Sequence, residues 1–583
     1  MRRRNARGAL LCLLLMVSLL LASCGGTAPV QPTPSAAEPA TTPSPVPPTA
    51  TPTLGPPVPE PVEPVTGMPQ GDERFPWWNH SVFYEIFVRS FYDSDGDGIG
   101  DFNGIIEKLD YLNDGEPKTD TDLGVTALWL MPIFPAASYH GYDATDYYSV
   151  NPEYGTMEDF KRLLDEAHAR GMRVIIDLML NHTSREHPWF VEAQNPDSPY
   201  RDWYIWAEEP QGRGPDGQVV WHPAPSGGYY YGLFWDGMPD LNFTNPDVTS
   251  EMQEVARFWL EDVGVDGFRL DGARYLVETE QALADSDANH AWFQEFNTFV
   301  KGVNPEAVLV GEVWTTTFTV VTYIKGGELD TAFAFDQAAA ILSSLNFARA
   351  ETALDQMALD ARLYPEGQLA PFLTNHDQNR VMSELGDQEE VRHAAAMLLT
   401  AWGTPFIYYG EEIGMTGVKP DERIRTPMQW AGGDKAGFTT GTPWQPVSQT
   451  DPAFTVEAQS EDPDSLLSFY RRLVKLRSEH IALRVGQPYF LEIDPAPVYA
   501  LLRASPEEVV LVVLNLGKEA VSEYNLSLES GPLQGRYRVV DLLGAGEFPD
   551  LEANAEGGFD QYLPLPELPP NGRLILQLQP VGR

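Results

Sequence analysis

The chain has 583 residues, of which 43% are hydrophobic and 11% aromatic, enough to fill more than one core, and this excludes a disordered or fibrous protein for most of its length. Its 39 Lys and Arg against 84 Asp and Glu give a formal charge of −45, which repels nucleic acid and anionic headgroups and leaves neutral or cationic partners. The two cysteines, Cys12 and Cys24, both lie at the extreme N-terminus, so no disulfide staples the remainder.

Residues 1–24 begin Arg2-Arg3-Arg4, run through an apolar stretch from Ala9 to Leu21 that is too short for an ordinary spanning helix, and end Leu21-Ala22-Ser23-Cys24. These are the regions of an export signal. Small residues directly before a cysteine resemble a bacterial lipobox, which implies cleavage before Cys24 and lipidation of its thiol. The expected location is therefore extracytoplasmic, with the protein lipid-anchored to the cell membrane; an ordinary signal peptide is the alternative. Residues 25–74 are rich in Pro, Thr and Ala and nearly free of large apolar side chains up to about Gln70, so they are expected to form an extended tether. In polyproline II, at roughly 3.1 Å per residue, it reaches on the order of 100 Å. A glycosylated stalk has the same composition.

From 75 to 484, short apolar runs alternate with amphipathic helical stretches: Val82 to Val88, Ala127 to Ile133, Arg173 to Leu178, Val265 to Leu270, Val308 to Val310, Thr331 to Phe335, Phe372 to Thr374 and Phe406 to Tyr409. This pattern predicts an α/β fold, a (β/α)8 TIM barrel, whose active site sits at the C-terminal ends of the strands. An open doubly wound sheet would want a Gly-rich phosphate turn after an early strand, and none is found. Residues 182–245 form an insertion after the third strand, rich in Trp and Tyr. Residues 485–583 carry strand-like runs such as Val509 to Leu516, which predict an antiparallel β-sandwich.

Three of the predicted strand ends carry an acid into the loop that follows. In Gly267-Phe268-Arg269-Leu270-Asp271-Gly272-Ala273-Arg274-Tyr275, Arg269 and Asp271 are two apart and leave a strand on the same face, where the cation keeps the carboxylate ionised. Val308-Leu309-Val310-Gly311-Glu312-Val313-Trp314 and Pro371-Phe372-Leu373-Thr374-Asn375-His376-Asp377 end likewise. With Asp177-Leu178-Met179-Leu180-Asn181-His182, these segments resemble, in order and spacing, the signature regions of the α-amylase family of glycoside hydrolases, over roughly residues 75 to 583. Glycoside hydrolysis needs one ionised and one protonated carboxyl flanking the scissile bond. Asp271 suits the first role; Glu312, with Val313 and Trp314 beside it, suits the second. The resemblance implies a retaining mechanism on Asp271, with Asp377 as a third acid that stabilises the transition state. It also implies that His182 and His376 bond the sugar, that Tyr142 is its stacking platform, that the insertion is the B domain and that the sandwich is the C domain.

Asp93-Ser94-Asp95-Gly96-Asp97-Gly98-Ile99-Gly100-Asp101 places Asp93, Asp95, Asp97 and Asp101 at positions 1, 3, 5 and 9 of a calcium loop, with the Ile99 carbonyl at 7. Gly104 stands where an EF-hand needs its bidentate acid, so a full EF-hand is refuted. The expected cofactor is Ca2+, or Mg2+ at the same loop.

Met238-Pro239-Asp240-Leu241-Asn242 resembles the subfamily intermediate between oligo-1,6-glucosidases and neopullulanases, which includes lipoprotein α-amylases. Arg425-Thr426-Pro427-Met428-Gln429-Trp430 is similar to a segment of oligo-1,6-glucosidases, α-glucosidases and trehalose synthases, where the arginine and an aspartate at the Asp143 position close the sugar subsite and favour exo action. Gly272, where α-1,6-specific relatives prefer valine, favours α-1,4 cleavage. Arg274 and Tyr275 stand where many amylases carry Lys-His at the leaving-group side. The expected activity is α-amylase-like hydrolysis of α-1,4-glucans and maltooligosaccharides. The alternatives are an exo-acting α-glucosidase or oligo-1,6-glucosidase, a trehalose synthase-like transglycosidase, and, remotely, a non-catalytic glucan-binding or transporter-accessory protein. No protein partner is implied.

Overall fold

The described residues of the computed structural model are 67–278, 282–494, 496–544 and 546–582. The expected export signal with Cys24, and the tether as far as residue 66, lie outside them. Eight parallel strands, β1 (Phe83–Ile86), β2 (Ala127–Leu130), β3 (Arg173–Leu178), β4 (Gly267–Leu270), β5 (Val308–Gly311), β6 (Thr331–Phe333), β7 (Leu369–Ala370) and β8 (Phe406–Tyr408), pair in the order β7-β6-β5-β4-β3-β2-β1-β8. Backbone bonds from Thr404 N to Leu369 O (2.8 Å) and from Phe406 N to Pro371 O (2.9 Å) return β8 to β7 and close the cylinder. The expected TIM barrel is the fold found.

These strands are near-continuous apolar runs because both of their faces are covered. Phe83, Trp129, Ile175, Val310, Phe333 and Phe406 fill the inside of the barrel. Their neighbours Tyr84, Leu128, Leu130, Val174 and Ile176 pack outward in the main core with the helices. The seventh strand was expected at Phe372 to Thr374 and lies three residues earlier. Pro371 has no N–H to donate, so the ladder stops before it, and Phe372-Leu373-Thr374 become the approach to Asn375-His376-Asp377.

Residues 67–74, read from composition as tether, hold fixed contacts on the barrel surface. Asp72 Oδ1 accepts from the N–H groups of Arg74 and Phe75 at 2.7 Å, and Arg74 Nη2 donates to Glu366 Oε1 at 2.5 Å. The insertion after β3 carries a three-stranded antiparallel sheet (Trp206–Ala207, Tyr229–Tyr231, Trp221–Pro223). Its aromatics mostly pack on one another: Phe190 stacks on Trp206 at 5.6 Å and Trp189 meets Trp203 edge-on at 4.9 Å.

From Gln487 onward a six-stranded and a three-stranded antiparallel sheet face each other across a core that includes Leu502, Leu511, Leu526, Phe559 and Leu576. The central strands Val498–Ala504 and Val509–Asn515 are buried at every position. Alternate residues Leu501, Val510, Val512 and Leu514 belong to the barrel's core instead. No helix among the described residues is long and apolar enough to cross a membrane.

Candidate active site

A cleft of about 340 Å3 opens where the chain leaves β3, β4, β5 and β7, and Tyr142, His182, Asp271, Glu312, Asp377 and Arg425 all line it. Arg269 is fully buried beneath. One of its nitrogens, Nη1, lies 2.6 Å from Asp177 Oδ1 and 2.7 Å from Asp271 Oδ1, while Nη2 approaches Glu312 Oε2 at 2.9 Å. The two-residue spacing therefore sets the Asp271 carboxylate against the Arg269 guanidinium, which also collects two further acids from β3 and the end of β5.

Glu312 Oε2 accepts from the Gly272 N–H at 3.0 Å. Burial pushes its carboxyl up to about 7; Arg269 opposes this, and the nearby charges of Asp271 and Asp377 add to it. Of the two apolar neighbours read from sequence, Val313 is fully buried, while Trp314 is 46% exposed, stacks on Phe335 at 4.8 Å and lines the same cleft as Glu312. Asp177 is likewise raised by burial, to about 6, against the pull of Arg269, and it accepts from Trp129 Nε1 at 2.9 Å.

On the opposite wall, Asp377 Oδ1 accepts from Arg425 Nη2 at 2.7 Å and Oδ2 lies 3.1 Å from His376 Nε2. Burial alone would raise Asp377, but His376 and Arg425 more than offset it and hold the carboxyl well below the usual carboxylate range. His376 itself does not reach the cleft. Its Nδ1 meets Glu85 Oε1 at 2.5 Å, and Nε2 also bonds the Tyr142 hydroxyl at 2.6 Å. Burial disfavours the charged ring, yet Asp377 and Glu85 outweigh it and push its pKa up to about 10. His182 is by contrast shifted down by burial; Nε2 lies 3.1 Å from the Tyr142 carbonyl, and Nδ1 has no hydrogen-bond partner among the described residues. Tyr142 stacks on His376, with ring centroids 5.5 Å apart.

Asp143 is not brought to Arg425. It is buried and accepts from the Ser138 N–H at 3.2 Å and from the Ser138 hydroxyl. Arg425 turns instead to Asp377 and, at 3.2 Å, to Asp421, and its Nε donates to the His376 carbonyl at 2.9 Å.

On the far side of Glu312 a second cavity of about 290 Å3 is walled by Phe234, Tyr275 and Trp314. Arg274, read from sequence as facing the leaving group, is forked onto Asp285 at 3.0 and 2.7 Å. Gly272, between the two cavities, holds φ +53°, and a Cβ there would lie 3.1 Å from the Phe234 ring.

Sequence reasoning missed Glu85, Asp421 and Phe234. Glu85 had a signal, as the lone charge inside an apolar strand run and hence in need of a partner. Asp421 and Phe234 had none.

The acidic loop after β1 brings Asp93, Asp95 and Asp101 together, with one carboxylate oxygen of each lying within 4.8 Å of the other two. Three converging hard oxygen donors fit Ca2+ or Mg2+. Asp97 stands outside this cluster and turns its Oδ1 to the Ile99 N–H at 2.7 Å. Gly98 is required by the packing, since a Cβ there would lie 1.9 Å from the Thr442 carbonyl oxygen. The loop is tied to the segment after Trp430 by Asp93 N to Phe438 O (3.0 Å) and Trp444 N to Gly98 O (2.9 Å). Ser90 Oγ, just before it, donates to the Arg425 carbonyl at 2.5 Å.

The profile described as Alpha amylase, catalytic domain, matches residues 85–486. Alpha-amylase 3 of Dictyoglomus thermophilum is 41% identical over 449 residues, covering 76% of this chain and 86% of the relative. An oligo-1,6-glucosidase of Parageobacillus thermoglucosidasius is 34% identical, covering 76% and 91%. The crystal structure of an α-amylase from H. orenii superposes with a TM-score of 0.72 at 42% identity, over 86% of this chain and all of that one. A closed eight-stranded barrel with its acids gathered at the strand ends, and a matched profile spanning most of the chain, lead to one conclusion: this protein belongs to the α-amylase family of glycoside hydrolases.

Proposed function

We propose that the protein is a retaining hydrolase of α-1,4-glucosidic bonds in starch-type glucans and maltooligosaccharides. The observation that carries this reading is the shared guanidinium of Arg269, 2.7 Å from Asp271 and 2.9 Å from Glu312. One carboxyl beside it serves as nucleophile, and the other, raised to about 7, holds a proton at working pH. Asp271 attacks the anomeric carbon while Glu312 protonates the departing glycosidic oxygen. Glu312, now ionised, then takes a proton from the water that releases the sugar. Asp377, kept ionised by His376 and Arg425, faces the cationic sugar ring that forms between these steps. The test is to follow maltoheptaose cleavage by proton NMR: an α-anomer as first product supports retention, and a β-anomer overturns it.

A second reading, an exo-acting α-glucosidase or a transglycosidase of the trehalose-synthase type, draws support from Arg425 and Asp421, which narrow the cleft on the Asp377 side. The identity to an oligo-1,6-glucosidase adds to it. End-blocked maltoheptaose separates the two readings, since only an endo-acting enzyme cuts it internally.

Asp93, Asp95 and Asp101 are proposed to hold Ca2+ or Mg2+, a charge that would fix the β1 loop against the segment carrying Arg425. For the N-terminus the proposal is export and lipidation at Cys24, leaving the enzyme outside the cytoplasm on a membrane. Radiolabelled palmitate entering the wild type but not Cys24→Ser would support this, and label in both would refute it.

A further inference from the structure

Of the two cationic side chains that hold Asp377, Arg425 comes from an irregular stretch of chain. It follows the single turn Asp421–Ile424 with φ −110° and ψ 29°, outside both helix and strand. Backbone of that kind is fixed by whatever satisfies its carbonyls. Here side chains from other loops do so at three successive residues. The Ile424 carbonyl accepts from Arg380 Nε (2.8 Å) and the Tyr408 hydroxyl (3.0 Å), that of Thr426 from the Tyr409 hydroxyl (2.8 Å), and that of Arg425 itself from Ser90 Oγ (2.5 Å).

We propose that Ser90 is a positioning residue of the catalytic centre, its hydroxyl setting the backbone of Arg425 so that the guanidinium meets Asp377. Ser90 is fully buried just after β1, in the turn Val88–Phe91, and lies 335 residues from Arg425 along the chain. A serine hydroxyl has one proton to give. Trp444 Nε1 donates to that oxygen at 3.0 Å, which occupies a lone pair and leaves the proton for the Arg425 carbonyl. The backbone around it repeats the link: Met428 N donates to Ser90 O at 2.8 Å, and Trp430 Nε1 to Phe91 O at 2.6 Å. Trp444 also stacks on Tyr139 at 5.3 Å, in the loop that runs on to Tyr142. One hydroxyl therefore stands where the loops after β1, β2 and β8 meet. Beyond the Arg425 carbonyl the tie continues through a buried side chain, with Nε on the His376 carbonyl at 2.9 Å and Nη2 on Asp377 Oδ1 at 2.7 Å. Asp421 waits 3.2 Å from the same Nη2, so a small shift of this backbone hands the guanidinium from Asp377 to Asp421.

The inference rests on the proposed role of Asp377 in the cleft, and its test separates the two. The kcat and KM of Ser90→Ala, Arg425→Ala and the double variant are measured on an activated aryl maltooligosaccharide, with Tm recorded for each. Loss of an interaction made in the transition state lowers kcat and leaves KM nearly unchanged. Ser90→Ala is expected to lower kcat about 10- to 100-fold with little change in KM, the scale of a slight misplacement at the reacting centre. In the Arg425→Ala chain it should cost nothing further, because the hydroxyl acts through that side chain. Where Ser90→Ala does not fold, Trp444→Phe takes its place in the cycle: it keeps a ring on Tyr139 and withdraws the N–H that orients the hydroxyl. Equal losses in both backgrounds, or a fall in Tm with kcat unchanged, overturn the proposal while the role of Asp377 stands. Full activity of Arg425→Ala overturns the proposal together with that reading of Asp377.

Discussion

Glu85 of β1 meets Nδ1 of His376, in the loop after β7, at 2.5 Å, so the first strand fixes a ring that the chain delivers from the strand beyond its neighbour β8, 291 residues later. That ring in turn lies against Asp377. Replacing Glu85 with Gln removes the counter-charge and loosens the geometry of Asp377. The expected result is a fall in kcat/KM of about 10²-fold, the scale of a slight misplacement of a reacting group. Conversion of His376 to a ring that titrates nearer neutrality, followed by imidazole NMR, should accompany it.

The pH profile should break on its alkaline side near 7, where Glu312 loses the proton it must donate. Asp271 and Asp377 help to raise that pKa, so Asp377→Asn should move the break to lower pH in whatever activity remains. Measurement with an activated aryl maltooligosaccharide keeps the residual rate within reach. A break that stays put in the variant would show that Asp377 does not act on Glu312.

Removing metal should loosen the loop after β1. Added Ca2+ at a hundred times its Kd should stabilise the protein by about 2.7 kcal/mol over the chelated form, read as a rise in Tm. Asp93→Asn should abolish the increment, because Asp93 belongs to the cluster of three and also accepts from Gly96, Gly98 and Thr439.

Gly272→Val should be costly twice over, because φ +53° disfavours any β-branched residue and the new Cβ meets the ring of Phe234. A stability loss of about 1–3 kcal/mol is expected from the backbone alone. Activity on maltooligosaccharides should fall further than stability does, and Phe234→Ala in the same chain should restore part of it.

His393 is buried, and burial lowers its pKa to about 3, with Arg573 adding to the effect and the charge of Glu389 and backbone contacts with Gly572 and Glu389 opposing it. The unfolded chain takes up this proton near 6.5, while the folded chain refuses it until about 3. Stability should therefore fall as pH drops below 6.5, by about 1.4 kcal/mol per unit from this group, levelling off near 3. In His393→Leu that part of the slope in Tm against pH should vanish.

The barrel was legible because each strand is an apolar run on a regular beat, and the three acids because Asp271 and Glu312 stand directly behind such a run and Asp377 a few residues behind one. The Arg269–Asp271 pair was readable from a spacing of two. What escaped depends on contacts between distant loops. Asp143 and Asp421 are both acids in polar surroundings, and only the folded path of the chain gives Arg425 to the second. Trp314 shows what the sequence does not reveal about a neighbour: it lines the cleft beside Glu312, but its ring is held from outside its own segment by Phe335. Pro371 is a strand breaker in the sequence itself, masked by the hydrophobicity of Phe372 and Leu373 that follow it.

Val498–Ala504 and Val509–Asn515 present one row of side chains to the sandwich and the other to the barrel. Such strands have no outside. Were the chain cut before Gln487, the helices Ala350–Leu363 and Ile481–Val485 would meet water along a surface built for Leu501, Leu514 and Tyr499, whose hydroxyl already rests on the sulfur of Met357. The C-terminal region is in that sense a wall of the catalytic domain. The two should melt in one transition, and neither should be obtainable soluble without the other.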